Sequence, residues 1–503
     1  MTQTSSQNRS AFLVMLIAML AHASLLWLPG INQEWVFADG AKYFEFHDPV
    51  LLKHYFLMQA NTLGMPFLAS VLHRLLPFLD QNAVMRLFSA SSFLLLGYSL
   101  LKLYCLLEQD YSPALLLAVV FLNPLIWTFG GRGTADLFPA ALTLFAITLF
   151  WQAKSSPLRL AIAIAAYGIA IALKYPAALL LPLIGLEALT RPGANIRQTS
   201  LRFIFIVALI LVIPLTYIVV AKHLYGFWFV PPAFHAKHGA NLSLIGIVMN
   251  MIGYAGYLSL LLVPYSLYAV WVGVNTTPKA LTTLVVTIAL FIAGFYGLTL
   301  GEEMRFGPLD VYIDPRIYGG ALLVFAAILV LLSKDILLKT TTPSARRYIL
   351  CLVLGTFTFI VILSFTRPAQ RYLLFVLPLA YFFVMNKSRS GKFITGATII
   401  LYGMLNLFIT LSQVATGTVA QNMVQQITAR GLLPDTEAGD LFGTAGNRFP
   451  DEVDGAAHKH YTVIFGNSPK AIFTVESHPA PLVHRVLSLV RYEDAPVATD
   501  DSR

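Results

Sequence analysis

The sequence predicts an all-α, multi-pass membrane protein that ends in a small polar α/β cap. Three observations carry this. Of 503 residues, 57% are hydrophobic and only 12% are charged, about half the charged share of an ordinary soluble domain. Apolar runs of about 20 residues, enough to cross roughly 30 Å of hydrocarbon, recur between short polar breaks. After residue 414 the composition turns polar, with eleven acidic against seven basic residues.

About thirteen spans are expected, near 11–29, 86–107, 113–130, 134–152, 158–173, 175–190, 201–221, 244–272, 280–300, 316–333, 347–366, 371–385 and 393–413. The runs 158–173 and 175–190 are separated only by Lys174, so they form either a tight hairpin or one bent element. The first run carries Ala21-His22-Ala23, the form of a signal cleavage site. It continues through Leu25, Leu26, Trp27 and Leu28, and a retained anchor is the preferred reading. Residues 62–79 hold His73 and Arg74 between leucines and are expected to lie as an amphipathic helix on the membrane surface. Cys105 and Cys351 fall inside apolar runs and read as core residues, neither a disulfide framework nor a zinc site.

Basic residues set the orientation, because Lys and Arg are retained on the cytoplasmic side of short loops. With the N-terminus inside, fifteen Lys and Arg fall in short inner connections, while ten of the fourteen acids before residue 414 fall outside. An odd number of spans then puts the C-terminus outside. The net charge of +9 is therefore a topology signal plus attraction to anionic lipid. No basic stripe interleaved with aromatics points to nucleic acid.

The chain divides into a transmembrane domain, 1–413, with an outer loop at 30–85, and a small extracytoplasmic C-terminal domain, 414–503. Within the latter, Val419, Met423 and Ile427 have helical spacing, and the runs beginning at Tyr461 and Lys470 read as strands. Residues 494–503 read as a disordered tail. There is no internal repeat, no phosphate-loop or dinucleotide glycine motif, no HExxH and no GxSxG.

What remains is a set of charges at the outer ends of spans, where burial is costly. Asp39 lies in the first outer loop beside Glu45, His47 and Asp48; it is either a general base or a solvated loop acid. Asp136, four residues after Arg132, opens the fourth span, where the helix dipole favours a carboxylate whatever its use. Lys174, followed by Pro176, either snorkels to head groups or holds a phosphate. Arg367, Arg371 and Tyr372 stand at an outer helix boundary, against the positive-inside tendency. Two guanidinium groups there suit a phosphodiester; interface anchoring is the plainer alternative. His223, His235 and His238 share another outer loop, where solvated histidines are favoured over a metal site by their irregular spacing.

Taken in order, a long first outer loop with an early Asp, the R-x-x-x-D element at Arg132–Asp136, the Lys174-Tyr175-Pro176 step and the Arg371-Tyr372-Leu373-Leu374 run resemble the GT-C superfamily of integral membrane glycosyltransferases. The similarity is to the branch of protein O-mannosyltransferases and the bacterial transferase that adds aminoarabinose to lipid A, and it covers roughly residues 10–390. It implies a polyprenyl-phosphate sugar donor, an unidentified glycan, lipid or protein acceptor, and a site facing outside the bacterial inner membrane. It further implies Asp39 as the catalytic carboxylate, and Asp136 as a second acid near the donor or a divalent metal ion, which Asp39 and Asp136 would hold. Lys174, Arg371 and Tyr372, with Arg367 beside them, would contact the donor phosphate or lipid. The adjacent Asp-Glu pair of the mannosyltransferase pattern is missing, which leaves Glu45 and Asp48 as further acids. A multi-pass transporter is the main alternative, although transporters commonly show repeated halves and midplane charges. An envelope-glycan polymerase or ligase with a lipid-linked donor is another.

Overall fold

The computed structural model describes residues 5–25, 64–78, 81–109, 111–130, 136–152, 156–190, 195–225, 243–273, 277–298, 314–339, 343–366, 369–385, 392–432, 461–465, 467–480 and 483–491. Sixteen α-helices are found among them, and each predicted span overlaps at least one of them. In chain order these are α1 (Ser5–Leu25), α2 (Gly64–Leu75), α3 (Gln81–Leu106), α4 (Pro113–Phe121), α5 (Pro124–Gly130), α6 (Leu137–Gln152), α7 (Pro157–Leu173) and α8 (Pro182–Leu189). They continue as α9 (Ile196–Tyr225), α10 (Leu244–Leu261), α11 (Tyr265–Gly273), α12 (Thr277–Gly297), α13 (Pro315–Lys339), α14 (Pro343–Leu363), α15 (Leu377–Met385) and α16 (Lys392–Ala429). Five described helices are long and apolar enough to cross a membrane, six if the bent pair α4 and α5 makes one crossing. The chain is an integral membrane protein.

Several runs that read as single spans are broken. The run 113–130 is two helices bent by 65°. Pro124 cannot continue a helix through its own position, and the Asn123 side chain takes over the turn, its Oδ1 accepting from Leu125 N at 3.0 Å. The break is tolerable in lipid because it is sealed by protein. Asn123 Nδ2 donates to Leu261 O at 2.9 Å and to the Tyr381 hydroxyl at 2.7 Å, and Asn406 Nδ2 donates to Leu122 O at 2.8 Å. The run 244–272 divides into α10 and α11. The runs 175–190 and 371–385 each begin as a 3-10 turn, Tyr175–Leu180 and Gln370–Phe375, and continue as α8 and α15.

Two packing relations position the site. Helices α6 and α7 are joined by four residues and pack as an antiparallel hairpin. At 16 and 17 residues, each is about 24–26 Å long, so Asp136, just before α6, and Lys174, just after α7, meet at one end. Helices α8 and α14 run antiparallel. A Cβ on Gly355 of α14 would stand 2.3 Å from the Leu183 side chain of α8, so only the bare backbone accepts that leucine. Nearer the other end, Arg347 Nη2 lies 3.4 Å from Glu187 Oε1, with Glu187 almost fully buried.

The surface-helix expectation for 62–79 meets a short helix, α2, with Leu68 and Leu72 packed against the core and Arg74, Leu75 and Phe78 exposed. Cys351 is buried as expected, but Cys105 is exposed, because α3 turns that face away from its neighbours. At the C-terminal end, α16 runs unbroken through residues 413 and 414. Against its last turns packs a three-stranded antiparallel sheet of β1 (Tyr461–Phe465), β2 (Phe473–Ala480) and β3 (Val483–Arg491) in the order β1-β3-β2. Val419, Met423 and Ile427, one face of the helix, close a small core with Phe473, Val475, Leu487 and Leu489. The central strand β3 lies beyond the two runs that read as strands in the sequence. Arg485 on it also bonds Ser412 Oγ.

The Gly355 socket yields a test. Gly355→Val forces branched carbons into space held by Leu183 and should cost about 1–3 kcal/mol. Thermal unfolding in detergent should show a lowered Tm that Leu183→Ala partly restores in the double variant.

Candidate functional site: a buried carboxylate with two cations

Three charged side chains from distant parts of the chain meet beside the α6–α7 hairpin. Asp136 immediately precedes α6, and its carbonyl accepts the first helical bond from Ala140 N at 3.5 Å. The dipole of α6 therefore favours its negative charge. Lys174 is held in an extended conformation, φ −156° and ψ 117°, between α7 and the 3-10 turn. Pro176 explains the break, since its ring would collide with the carbonyl four residues back in a continued helix. The turn then folds back along α7, where the buried Tyr167 hydroxyl donates to Ala177 O at 3.0 Å. Arg371 sits on the second 3-10 turn, which packs beside the first and against the start of α6.

Lys174 Nζ lies 3.0 Å from Asp136 Oδ1, and Arg371 Nε lies 4.0 Å from the same oxygen. The exposure is graded. The Asp136 side chain is 4% exposed, Lys174 9% and Arg371 33%, so the guanidinium forms the accessible edge. The arrangement can do what an isolated buried charge cannot: each ion offsets the desolvation of its neighbours, and with Asp136 ionised the trio carries one surplus positive charge.

Of the residues singled out by sequence, Asp136, Lys174 and Arg371 come together. Tyr372 is half-buried, with its ring centroid 5.9 Å from the Arg371 guanidinium carbon. Asp39, Glu45, Asp48, Arg367 and Arg132, with His235 and His238, lie outside the described residues, and His223 is exposed at the end of α9. Among the described residues no group of three or more His, Cys, Asp or Glu could hold a metal ion. Around Asp136 the fit is poor for electrostatic reasons, because two cationic side chains already face its carboxylate.

Sequence reasoning missed the surroundings of this trio. The N-terminus of α2 abuts the end of α7 so closely that a Cβ on Gly64 would stand 2.3 Å from Ala172 O, two residues before Lys174. From α10, Tyr257 donates to Gln370 Oε1 at 2.6 Å, next to Arg371. A usable signal was present: Asn250, Tyr254 and Tyr257 are polar groups at helical spacing inside an apolar run, and such groups in lipid need partners.

No family profile matches the chain and no curated protein matches it. Among solved structures it is similar to ArnT from Cupriavidus metallidurans in the apo state, with 15% identity over 84% of this chain and 81% of that one, at a TM-score of 0.37. A likeness that slight carries no argument.

Removing one member of a buried ion cluster strands the others. Lys174→Met leaves the Asp136 carboxylate facing Arg371 alone and should cost about 3–5 kcal/mol. The double variant Lys174→Met with Asp136→Leu should recover much of that loss, as read from unfolding midpoints in one detergent. A Tm unchanged in Lys174→Met would mean that this pair does not form.

Proposed function

We propose that this chain is a GT-C-type membrane glycosyltransferase with thirteen crossings. It moves a sugar from a polyprenyl-phosphate donor to an acceptor hydroxyl on the extracytoplasmic face of the bacterial inner membrane. The observation that carries this reading is the convergence of Asp136, Lys174 and Arg371 at one end of the α6–α7 hairpin. A polyprenyl phosphodiester carries one negative charge, and a surplus cation at the lipid edge complements it. The location also speaks against the transporter alternative, whose ionisable groups are expected near the bilayer midplane. Orientation rests on the excess of basic residues in the opposite loops.

The reaction is an inverting displacement. The acceptor oxygen attacks the anomeric carbon and forms the new glycosidic bond. Its proton passes to a carboxylate, assigned to Asp39, with Glu45 and Asp48 as further acids of the same loop. The bond between the anomeric carbon and the phosphate oxygen breaks, and the electron pair leaves with polyprenyl phosphate. That group gains a second negative charge, which Arg371 and Lys174 stabilise where it develops. Arg367 and Tyr372 border the phosphate and the first isoprene units. Asp136 orients the two cations. A divalent ion held by Asp39 and Asp136 is implied by the resemblance alone.

Purified protein in lipid discs, offered a panel of polyprenyl-phosphate sugars, should hydrolyse or transfer from at least one of them. Asp39→Asn and Arg371→Ala should insert and fold yet lose turnover by roughly 10²-fold or more. Full activity in Asp39→Asn removes it from the mechanism, and a wild-type protein that neither binds nor consumes any donor overturns the reading.

A further inference from the structure

Arg371 lies on the 3-10 turn that follows α14 in the chain. Helix α14 stops at Leu363, and its last carbonyls, Ile360 to Leu363, are taken by the backbone amides of Ser364, Phe365 and Thr366. Pro368 contributes no N–H, and the 3-10 turn that follows has weaker hydrogen-bond geometry than an α-helix. The side chain of Arg371 itself is long and has many rotamers to lose. Turns of this kind are held less firmly than an α-helix, so contacts from another element help to fix them.

One face of α10 does so. Asn250, Tyr254 and Tyr257, spaced by four and three residues, share that face. Asn250 Nδ2 donates to Ser364 O at 3.1 Å and to Thr366 O at 3.3 Å. Ala369 N donates to the Tyr254 hydroxyl at 2.9 Å, and the Tyr257 hydroxyl donates to Gln370 Oε1 at 2.6 Å. The partners advance along the chain in step with α10, from 364 to 370, and stop one residue short of Arg371. Both tyrosines are fully buried, so these bonds compete with little water.

We propose that Asn250, Tyr254 and Tyr257 are positioning residues, a brace that holds Ser364, Thr366, Ala369 and Gln370 so that the Arg371 guanidinium stays on Asp136. Its use in the reaction rests on the donor-phosphate reading above; the brace itself does not. Tyrosine is suited to the task because its ring anchors in the apolar interior while its hydroxyl reaches the backbone. Phenylalanine keeps the ring and removes the hydroxyl with the bonds it makes.

The test uses the full-length protein in lipid discs. Hydrogen–deuterium exchange over residues 364–376 is compared in wild type, Tyr254→Phe and the double Tyr254→Phe/Tyr257→Phe variant. Exchange in that segment should rise roughly tenfold in Tyr254→Phe, the effect of about one lost hydrogen bond, and further in the double variant, with α6 and α7 unchanged. Unaltered exchange overturns the brace. A second readout is retention of sugar-free polyprenyl phosphate. Tyr257→Phe should weaken it several-fold in the wild-type background and much less in Arg371→Lys, because a residue acting through Arg371 has nothing left to position. Equal weakening in both backgrounds would mean that Tyr257 does not act through Arg371. Faster exchange in a protein that never binds polyprenyl phosphate would leave the brace standing and remove the donor assigned above.

Discussion

A carboxylate buried at the end of an apolar helix bundle is the constraint on which the rest of the arrangement depends. Asp136 could not remain ionised there alone, since the cost of desolvating one carboxylate amounts to several kcal/mol. Lys174 at 3.0 Å and Arg371 at 4.0 Å supply the compensation. Equally, two cations brought that close would repel without the acid between them. The three ions therefore stand or fall as a set, and the chain must bring together segments that begin at residues 136, 174 and 370. The graded exposure gives the set a direction: the acid is sealed, and the guanidinium faces outward.

Each member of the set sits where a helix begins or stops. Asp136 precedes α6, Lys174 separates α7 from a 3-10 turn, and Arg371 lies on a second turn after α14. Interruptions of this kind expose backbone groups that lipid cannot satisfy, so they survive only inside protein. Tyr167 covers one turn through Ala177 O, and α10 covers the approach to the other through Ser364 O, Thr366 O and the Ala369 amide. The polar residues buried around the site are thus the condition for having irregular backbone there, and irregular backbone lets a charged side chain point along the bundle end rather than into lipid.

This logic marks what a single sequence can reveal. The apolar runs were legible because lipid imposes one length and one composition on a span. Asp136, Lys174 and Arg371 were legible as charges whose burial needs a reason. Their pairing was not, because nothing local to Arg371 says that its partner lies more than 200 residues earlier. The breaks at Asn123 and before α11 were hidden by hydropathy, which averages over a Pro-induced bend as long as both halves are apolar. The brace on α10 was open to reading in principle, since Asn250, Tyr254 and Tyr257 repeat at helical spacing; their partners are backbone atoms, which carry no sequence signal. For β3 the signal was obscured by Arg485 and Ser488, of which Ser488 is buried. Arg485 reaches back to Ser412 on α16.

The far end of the bundle bears on the site through helix register. Helices α8 and α14 both lead into the 3-10 turns that carry the cations, α8 backwards to Lys174 and α14 forwards to Arg371. Sliding one helix on the other would shift the approaches to Lys174 and Arg371 relative to each other. Two contacts oppose that slide. Leu183 fits the bare backbone at Gly355, and Glu187 meets Arg347 at 3.4 Å with its side chain 3% exposed. Hydrophobic packing alone offers a ladder of near-equivalent registers one turn apart, whereas a buried ion pair leaves uncompensated charge in every register but one. Fixing a single register is the best-attested use of buried polar groups. Glu187 and Arg347 thus favour one register for the helix pair that leads to Lys174 on one side and Arg371 on the other.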